Sequence, residues 1–231
     1  GDAANGRQGA EGIGRASSWD SYSPDPFSLT YGGTNYQAVE VRTVGDATCA
    51  LFSNATLGCW GVNGRGILGF NHSTSTCAFP ANHSNSEIYC GGWVKTLENQ
   101  VKTFSIYNSS ACAILTNDEM WCWGMKVGNS QFNATPRQVN LAGRAATEIR
   151  DSDCVLLSDG DITCWSSILN TTNVTLPAGR TAISIGFGCA ILDDMSVYCW
   201  SGSYTWPQIP NGLHAVRLED NGCMILSNGS A

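Results

Sequence analysis

Thr48-Cys49-Ala50-Leu51-Phe52-Ser53-Asn54-Ala55-Thr56-Leu57-Gly58-Cys59-Trp60-Gly61 is a pattern that the chain goes on to repeat. Its outline returns at Cys112 to Trp123 (CAILTNDEMWCW), Cys154 to Trp165 (CVLLSDGDITCW) and Cys189 to Trp200 (CAILDDMSVYCW), and a half-copy opens at Cys223 (CMILSNGSA). In each complete copy nine residues separate two cysteines and a tryptophan follows the second, a recurrence that marks a repeat architecture. Each unit reads as a β-hairpin, an apolar arm turning through a polar stretch such as Ser158-Asp159-Gly160. Facing positions on antiparallel strands lie within disulfide reach, so the expected pairs are Cys49–Cys59, Cys112–Cys122, Cys154–Cys164 and Cys189–Cys199. A two-residue turn pairs positions an odd number apart. A spacing of ten therefore demands a three-residue or bulged turn, or a diagonal link.

The first-cysteine spacings are 63, 42, 35 and 34 residues, and the long one marks an insertion at 70–93. It holds Cys77 and Cys90, which most simply close a private loop, leaving Cys223 unpaired among eleven cysteines. Between hairpins run proline-containing segments and then alternating strands, for example Ala145 to Arg150 and Thr181 to Gly186. Residues 1–15 are glycine-rich and read as a tail, and 16–231 as one domain. Trp19 to Pro26 resembles Trp200 to Pro207, so the beginning of the domain reads as the second half of a repeat whose first half stands at Cys223, with Ser18 in the slot of the second cysteine. Complementary ends of this kind are how propellers share a blade, here between the two ends of one chain or between neighbouring subunits. The expected fold is an all-β propeller of about five blades.

The repeat, with the tail Trp60-Gly61-Val62-Asn63-Gly64-Arg65-Gly66-Ile67-Leu68-Gly69, resembles the regulator-of-chromosome-condensation superfamily. Its doubled cysteines are most similar to the extracellular branch, the ectodomains of crinkly receptor kinases. The resemblance implies a propeller, commonly of seven blades, with a face that binds protein. Only the first repeat keeps the full tail, since Ser166 and Ser201 replace its first glycine elsewhere. Five blades depart from the family's number, and the alternative is that blades are missing from this chain.

Composition sets the compartment. Eleven cysteines with only 13% charged residues point to oxidising surroundings. Zinc would require short knuckles that the nine-residue spacing lacks. Asn54, Asn71, Asn82, Asn108, Asn133, Asn170, Asn173 and Asn228 each open an N-x-S/T triplet, eight of eighteen asparagines, which predicts a secreted glycoprotein bearing covalent N-glycans. Asn54 and Asn228 stand beside hairpin turns, where a sugar would project into solvent. A net charge of −7 argues against nucleic acid and anionic membrane surfaces, and no apolar run is long enough to insert in a bilayer. A signal peptide is not visible.

No catalytic constellation is legible, and neither a cofactor nor a metal is expected. His72 and His83 sit in the insertion and His214 at a strand start. Asp159/Asp161 and Asp193/Asp194 fall where turns need aspartate. Trp60, Trp123, Trp165 and Trp200 recur in register and read as packing between blades, whereas Trp93, Trp121 and Trp206 break the pattern and are candidate contacts. The sequence thus predicts a non-enzymatic assembly module of an extracellular coat or fibre, partnered by another protein or by its own copies. A receptor ectodomain or secreted inhibitor, with 70–93 as recognition loop, is the alternative.

Overall fold

A polar turn between two apolar arms folds the same way in every repeat. In the first, the Phe52 amide donates to the Thr56 carbonyl at 3.0 Å and the Ala55 amide to the Phe52 carbonyl at 2.8 Å, enclosing the three residues 53–55. The third of these is left-handed in all five hairpins: Ala55, Asp118, Gly160, Met195 and Gly229, with φ between 60° and 83°. The second is always Asn or Asp, and its Oδ1 accepts the amide two residues on, as from Thr56 to Asn54 at 3.2 Å and from Asp161 to Asp159 at 3.0 Å. Of the forms that the cysteine spacing allowed, the chain thus adopts the three-residue turn, a type I turn closed by a left-handed residue.

The computed structural model describes residues 30–31, 34–45, 47–63, 65–70, 76–78, 89–107, 109–125, 133–150, 153–167, 170–186, 188–200, 209–218 and 223–231. β1 (Thr30–Tyr31) and β2 (Thr34–Asn35) pair with each other, and the remaining strands form five antiparallel sheets in chain order. The first contains β3 (Ala38–Val44), β4 (Ala47–Phe52) and β5 (Leu57–Val62), with β6 (Thr76–Ala78) on its outer edge beyond β7 (Tyr89–Trp93). The second runs β8 (Val101–Tyr107), β9 (Ser110–Leu115), β10 (Met120–Gly124), β11 (Asn133–Gln138). The third is β12 (Ala146–Ile149), β13 (Cys154–Leu157), β14 (Ile162–Ser167), β15 (Asn170–Asn173). β16 (Ala182–Gly186), β17 (Cys189–Leu192) and β18 (Val197–Cys199) make the fourth, and β19 (Ala215–Leu218) with β20 (Met224–Leu226) the fifth. The insertion is thus more than a loop, because both its described pieces join the first sheet. Cys77 lies opposite Cys90 in the β6–β7 backbone register, although these side chains lie outside the described residues. So do residues 16–29, the expected second half of the last repeat.

Disulfides join Cys49–Cys59, Cys112–Cys122, Cys154–Cys164 and Cys189–Cys199, each between directly opposite residues with Cα atoms 4.0 to 4.1 Å apart. Counting back from the hydrogen-bonded Phe52–Thr56 pair places the cysteines at a non-hydrogen-bonded pair, where antiparallel backbones approach most closely. Period-two alternation then decides what each face of a hairpin meets. In the second sheet Cys112 and Ile114 face the third sheet, packing with Ile149, Val155 and Leu157, while Ala111, Ala113, Leu115 and Trp123 face the first. Both faces are buried. That is why the arm reads as a continuous apolar run rather than as an alternation.

The same rule holds along the chain. Disulfides face the following sheet and the tryptophans after them the preceding one, so Trp123, Trp165 and Trp200 pack between sheets as their register implied. The tail unique to the first repeat seals one such joint. Asn63, almost fully buried, accepts the Leu68 amide at 3.1 Å and donates to the Phe70 carbonyl at 3.0 Å. The loop so held presents the Ile67 carbonyl to the Trp123 indole N–H at 2.7 Å. Gly69, at φ 81°, leaves space for that ring, since a Cβ there would lie 3.0 Å from Trp123 Nε1.

Two outcomes follow. Replacing Cys112 and Cys122 together by Ser removes a covalent constraint inside a fully buried layer and should lower unfolding free energy by about 2 to 4 kcal/mol in denaturant titration. Gly160→Ala places a Cβ 2.5 Å from Thr181 of the next sheet, whereas Gly179→Ala, also left-handed, meets nothing within 4 Å. The melting temperature should therefore fall clearly further for the first, by an extra cost of about 1 to 3 kcal/mol.

Candidate interaction site

Every sheet begins with a strand carrying one extra residue at the same register. The bulges fall between Ala38/Glu40, Val101/Thr103, Ala146/Glu148, Ala182/Ser184 and Ala215/Arg217, in each case opposite the residue two positions after the first cysteine of the hairpin. A bulge re-aims the side chains around it. The extra residues Val39, Lys102, Thr147, Ile183 and Val216 are all exposed.

These first strands lie side by side and surround one cavity of about 610 Å³, to which β3, β8, β12, β16 and β19 all contribute. Its wall combines the apolar Val39 and Ile183 with Glu40, Arg42, Glu148, Arg150 and Arg217. Two Glu-x-Arg pairs stand in equivalent places. Arg42 Nε lies 2.7 Å from Glu40 Oε1 and Arg150 Nε 2.9 Å from Glu148 Oε1, and Arg42 also stacks over Phe104 at 5.9 Å. Each glutamate reaches the next sheet. Thr103 donates to Glu40 at 3.2 Å, while Ser184 Oγ and the Ile185 amide donate to Glu148 at 3.2 and 3.3 Å. With its oxygens occupied by donors from two sheets, each carboxylate acts chemically as an acceptor hub that joins neighbours.

The turn rim, beside the N-terminal ends of these strands, is charged differently. Arg144 Nη1 lies 3.1 Å from Asp161 Oδ2 and 3.8 Å from Asp159 Oδ2, and its Nη2 donates to Thr163 at 3.0 Å and to Asn173 at 3.2 Å. Arg180 contacts Asp193 at 3.5 Å and Asp194 at 2.8 Å, and Lys102 contacts Asp118 at 2.8 Å. The acidic pairs are therefore turn formers held by a cation of their own sheet. The Ser196 hydroxyl at 2.6 Å and amide at 3.0 Å, aided by the Arg180 charge, hold the Asp194 carboxyl below the usual aspartate value. A second pocket of about 390 Å³ opens beside these turns, between Asp118, Met120, Leu141 and Arg144. Among the described residues no three metal-ligating side chains converge.

Of the residues singled out by sequence, Trp93 is half-buried with its ring edge-on to Phe52 at 5.1 Å. Trp121 packs on the first core layer and donates to Glu119 at 3.2 Å. Trp206, His72 and His83 lie outside the described residues, as do Asn71, Asn82, Asn108 and the side chain of Asn170. Asn173 and Asn228 are exposed, Asn133 and Asn54 half-buried. Cys223 is a free, exposed thiol. The inner-strand bulges escaped sequence reasoning, while the repeated Glu40-Val41-Arg42 and Glu148-Ile149-Arg150 were a signal for the paired Glu-x-Arg sites.

No protein-family model and no curated protein matches the chain. Solved structures do. The crystal structure of human WBSCR16 superposes with a TM-score of 0.63 at 15% identity, over 88% of this chain and 55% of that one. The chain thus spans about half the length of that protein, and the likeness establishes a shared β-propeller-like fold. Prp20p from Saccharomyces cerevisiae, described with its binding to Gsp1p and histones, gives 0.48 at 18% identity over 64% of this chain and 40% of that one. Yeast RCC1 (Prp20) bound by Kap60 gives 0.44 at 15%, over 59% and 30%.

The joints differ in depth, and substitutions should report it. Glu148→Ala strands Ser184 Oγ and the Ile185 amide at the sheet boundary and should cost about 1 to 3 kcal/mol in chemical unfolding. Lys102→Ala removes only an exposed pair and should change the same measurement by less than about 1 kcal/mol.

Proposed function

We propose that this chain uses its RCC1-type propeller fold as a secreted, N-glycosylated and non-catalytic assembly module, a structural subunit of an extracellular coat or fibre. One contrast carries the reading. Phe104, Ile149, Ile185 and Leu218 are buried against the preceding sheet, yet Val41, at the same place in the first sheet, is 58% exposed. At the other end of the series, Cys223 and Ile225 occupy the face that in earlier sheets carries a disulfide and meets the next sheet. Among the described residues an apolar face at one end and an unpaired sheet edge at the other suit head-to-tail association, in which residues 16–29 of one copy complete the last sheet of its neighbour.

Three further features support this reading. Four buried or half-buried disulfides require an oxidising compartment to form. Eight sequons suit passage through a secretory pathway, and the carboxylates of the turn rim are committed to arginines and turns rather than to catalysis. The extracellular branch of the superfamily, which the doubled cysteines resemble, fits the same compartment.

Light scattering on a size-exclusion column tests the proposal. Apparent mass should rise with protein concentration, and Val41→Glu, which charges the exposed end face, should abolish the rise. A single species of 24.6 kDa plus its sugars at every concentration, unchanged by Val41→Glu, would overturn assembly and favour a monomeric ligand-binding ectodomain.

A further inference from the structure

Asn54 and Asn228 occupy the same position in the same turn, and both open a sequon. Each Oδ1 accepts the amide of the sequon's hydroxyl residue, Thr56 at 3.2 Å and Ser230 at 3.0 Å. Their surroundings are opposite. The whole turn at Asn228 is exposed, and the Ser230 hydroxyl folds back onto Asn228 Oδ1 at 2.7 Å. At Asn54 the second sheet has closed over the turn: the Val101 amide takes the Ala55 carbonyl at 2.9 Å, and Thr56 is fully buried. The Thr56 hydroxyl is drawn away from Asn54, donating to Asn99 Oδ1 at 3.1 Å and accepting the Asn99 amide at 3.1 Å. Asn54 Nδ2 is buried and without a hydrogen-bond partner.

N-glycosylation replaces one Nδ2–H bond by a bond from nitrogen to the anomeric carbon of a sugar. The donor's lipid diphosphate leaves with the bonding electrons, and the displaced proton passes to a base. The new substituent needs open space at Nδ2. We infer that the folded protein carries a glycan at Asn228 and none at Asn54, the first turn having become a joint between the first and second sheets. This rests on the reading of the chain as a secreted glycoprotein. A chain that acquires sugar at Asn54 before folding cannot seat Val101 and Asn99 on that turn, so it fails to complete the fold and is held back.

The test is site-by-site glycopeptide mass spectrometry on the full chain expressed through a eukaryotic secretory pathway, comparing medium with the cell-retained fraction. The expected result is a sugar-bearing Asn228 peptide and an unmodified Asn54 peptide in the medium, any Asn54-linked sugar being confined to the retained material. Sugar on Asn54 of secreted, monodisperse protein would overturn the inference. A bare Asn228 beside occupied sequons elsewhere would overturn its positive half and spare the glycoprotein reading, whereas a secreted chain with every sequon bare would remove both.

Discussion

A backbone hydrogen bond between consecutive sheets governs how they stack. In the first three hairpins the left-handed residue of the turn points its carbonyl outward, and the first residue of the next inner strand donates to it: Val101 to Ala55, Ala146 to Asp118 and Ala182 to Gly160, each at 2.9 Å. A two-residue turn would have no such spare carbonyl in this place. The same extra residue sets the pairing parity that brings cysteines ten apart face to face. Sulfur bridge and stacking thus share one cause. Once the turn is made, the disulfide lies on the face toward the following sheet and the tryptophan on the face toward the preceding one.

Side chains at the bulges add a second set of joints. Glu40 and Glu148 each bind an arginine of their own strand and donors from the next sheet, so the polar groups around the central cavity are structural before they are anything else. Around the turn rim, Lys102, Arg144 and Arg180 repeat the theme within single sheets. An exposed pair of that kind is worth little alone. Its regular recurrence keeps the acidic turns oriented so that their carbonyls meet the next strand.

Much of this was legible from the chain alone. The C-x9-C-W recurrence announced the hairpins and their four disulfides, because these depend on contacts between near neighbours in the chain, it narrowed the turn to a few forms, and its register pointed to an interior place for Trp123, Trp165 and Trp200. The bulges were not legible. An extra residue in a strand leaves no mark on the alternation of Ala-Val-Glu-Val-Arg, and only its partner strand reveals the slip. The insertion misled in a similar way. Residues 76–78 and 89–93 belong to the first sheet, but the pairing of 89–93 with β5, on which that of 76–78 depends, spans too many residues for local pattern to show.

Asn54 and Asn228 state the division most sharply. Their local sequences, Asn-Ala-Thr and Asn-Gly-Ser, specify the same turn and the same hydrogen bond, and by sequence both should lift a sugar into solvent. Sequence by itself determined the repeat and the staple and narrowed the turn to a few forms, since these are local bonds between near neighbours in the chain. Only the tertiary structure decided which turn is covered, where Val41 stands exposed and which carboxylates are joints. Those properties belong to the space between sheets, and that space is set by residues some forty positions apart, as between Thr56 and Asn99.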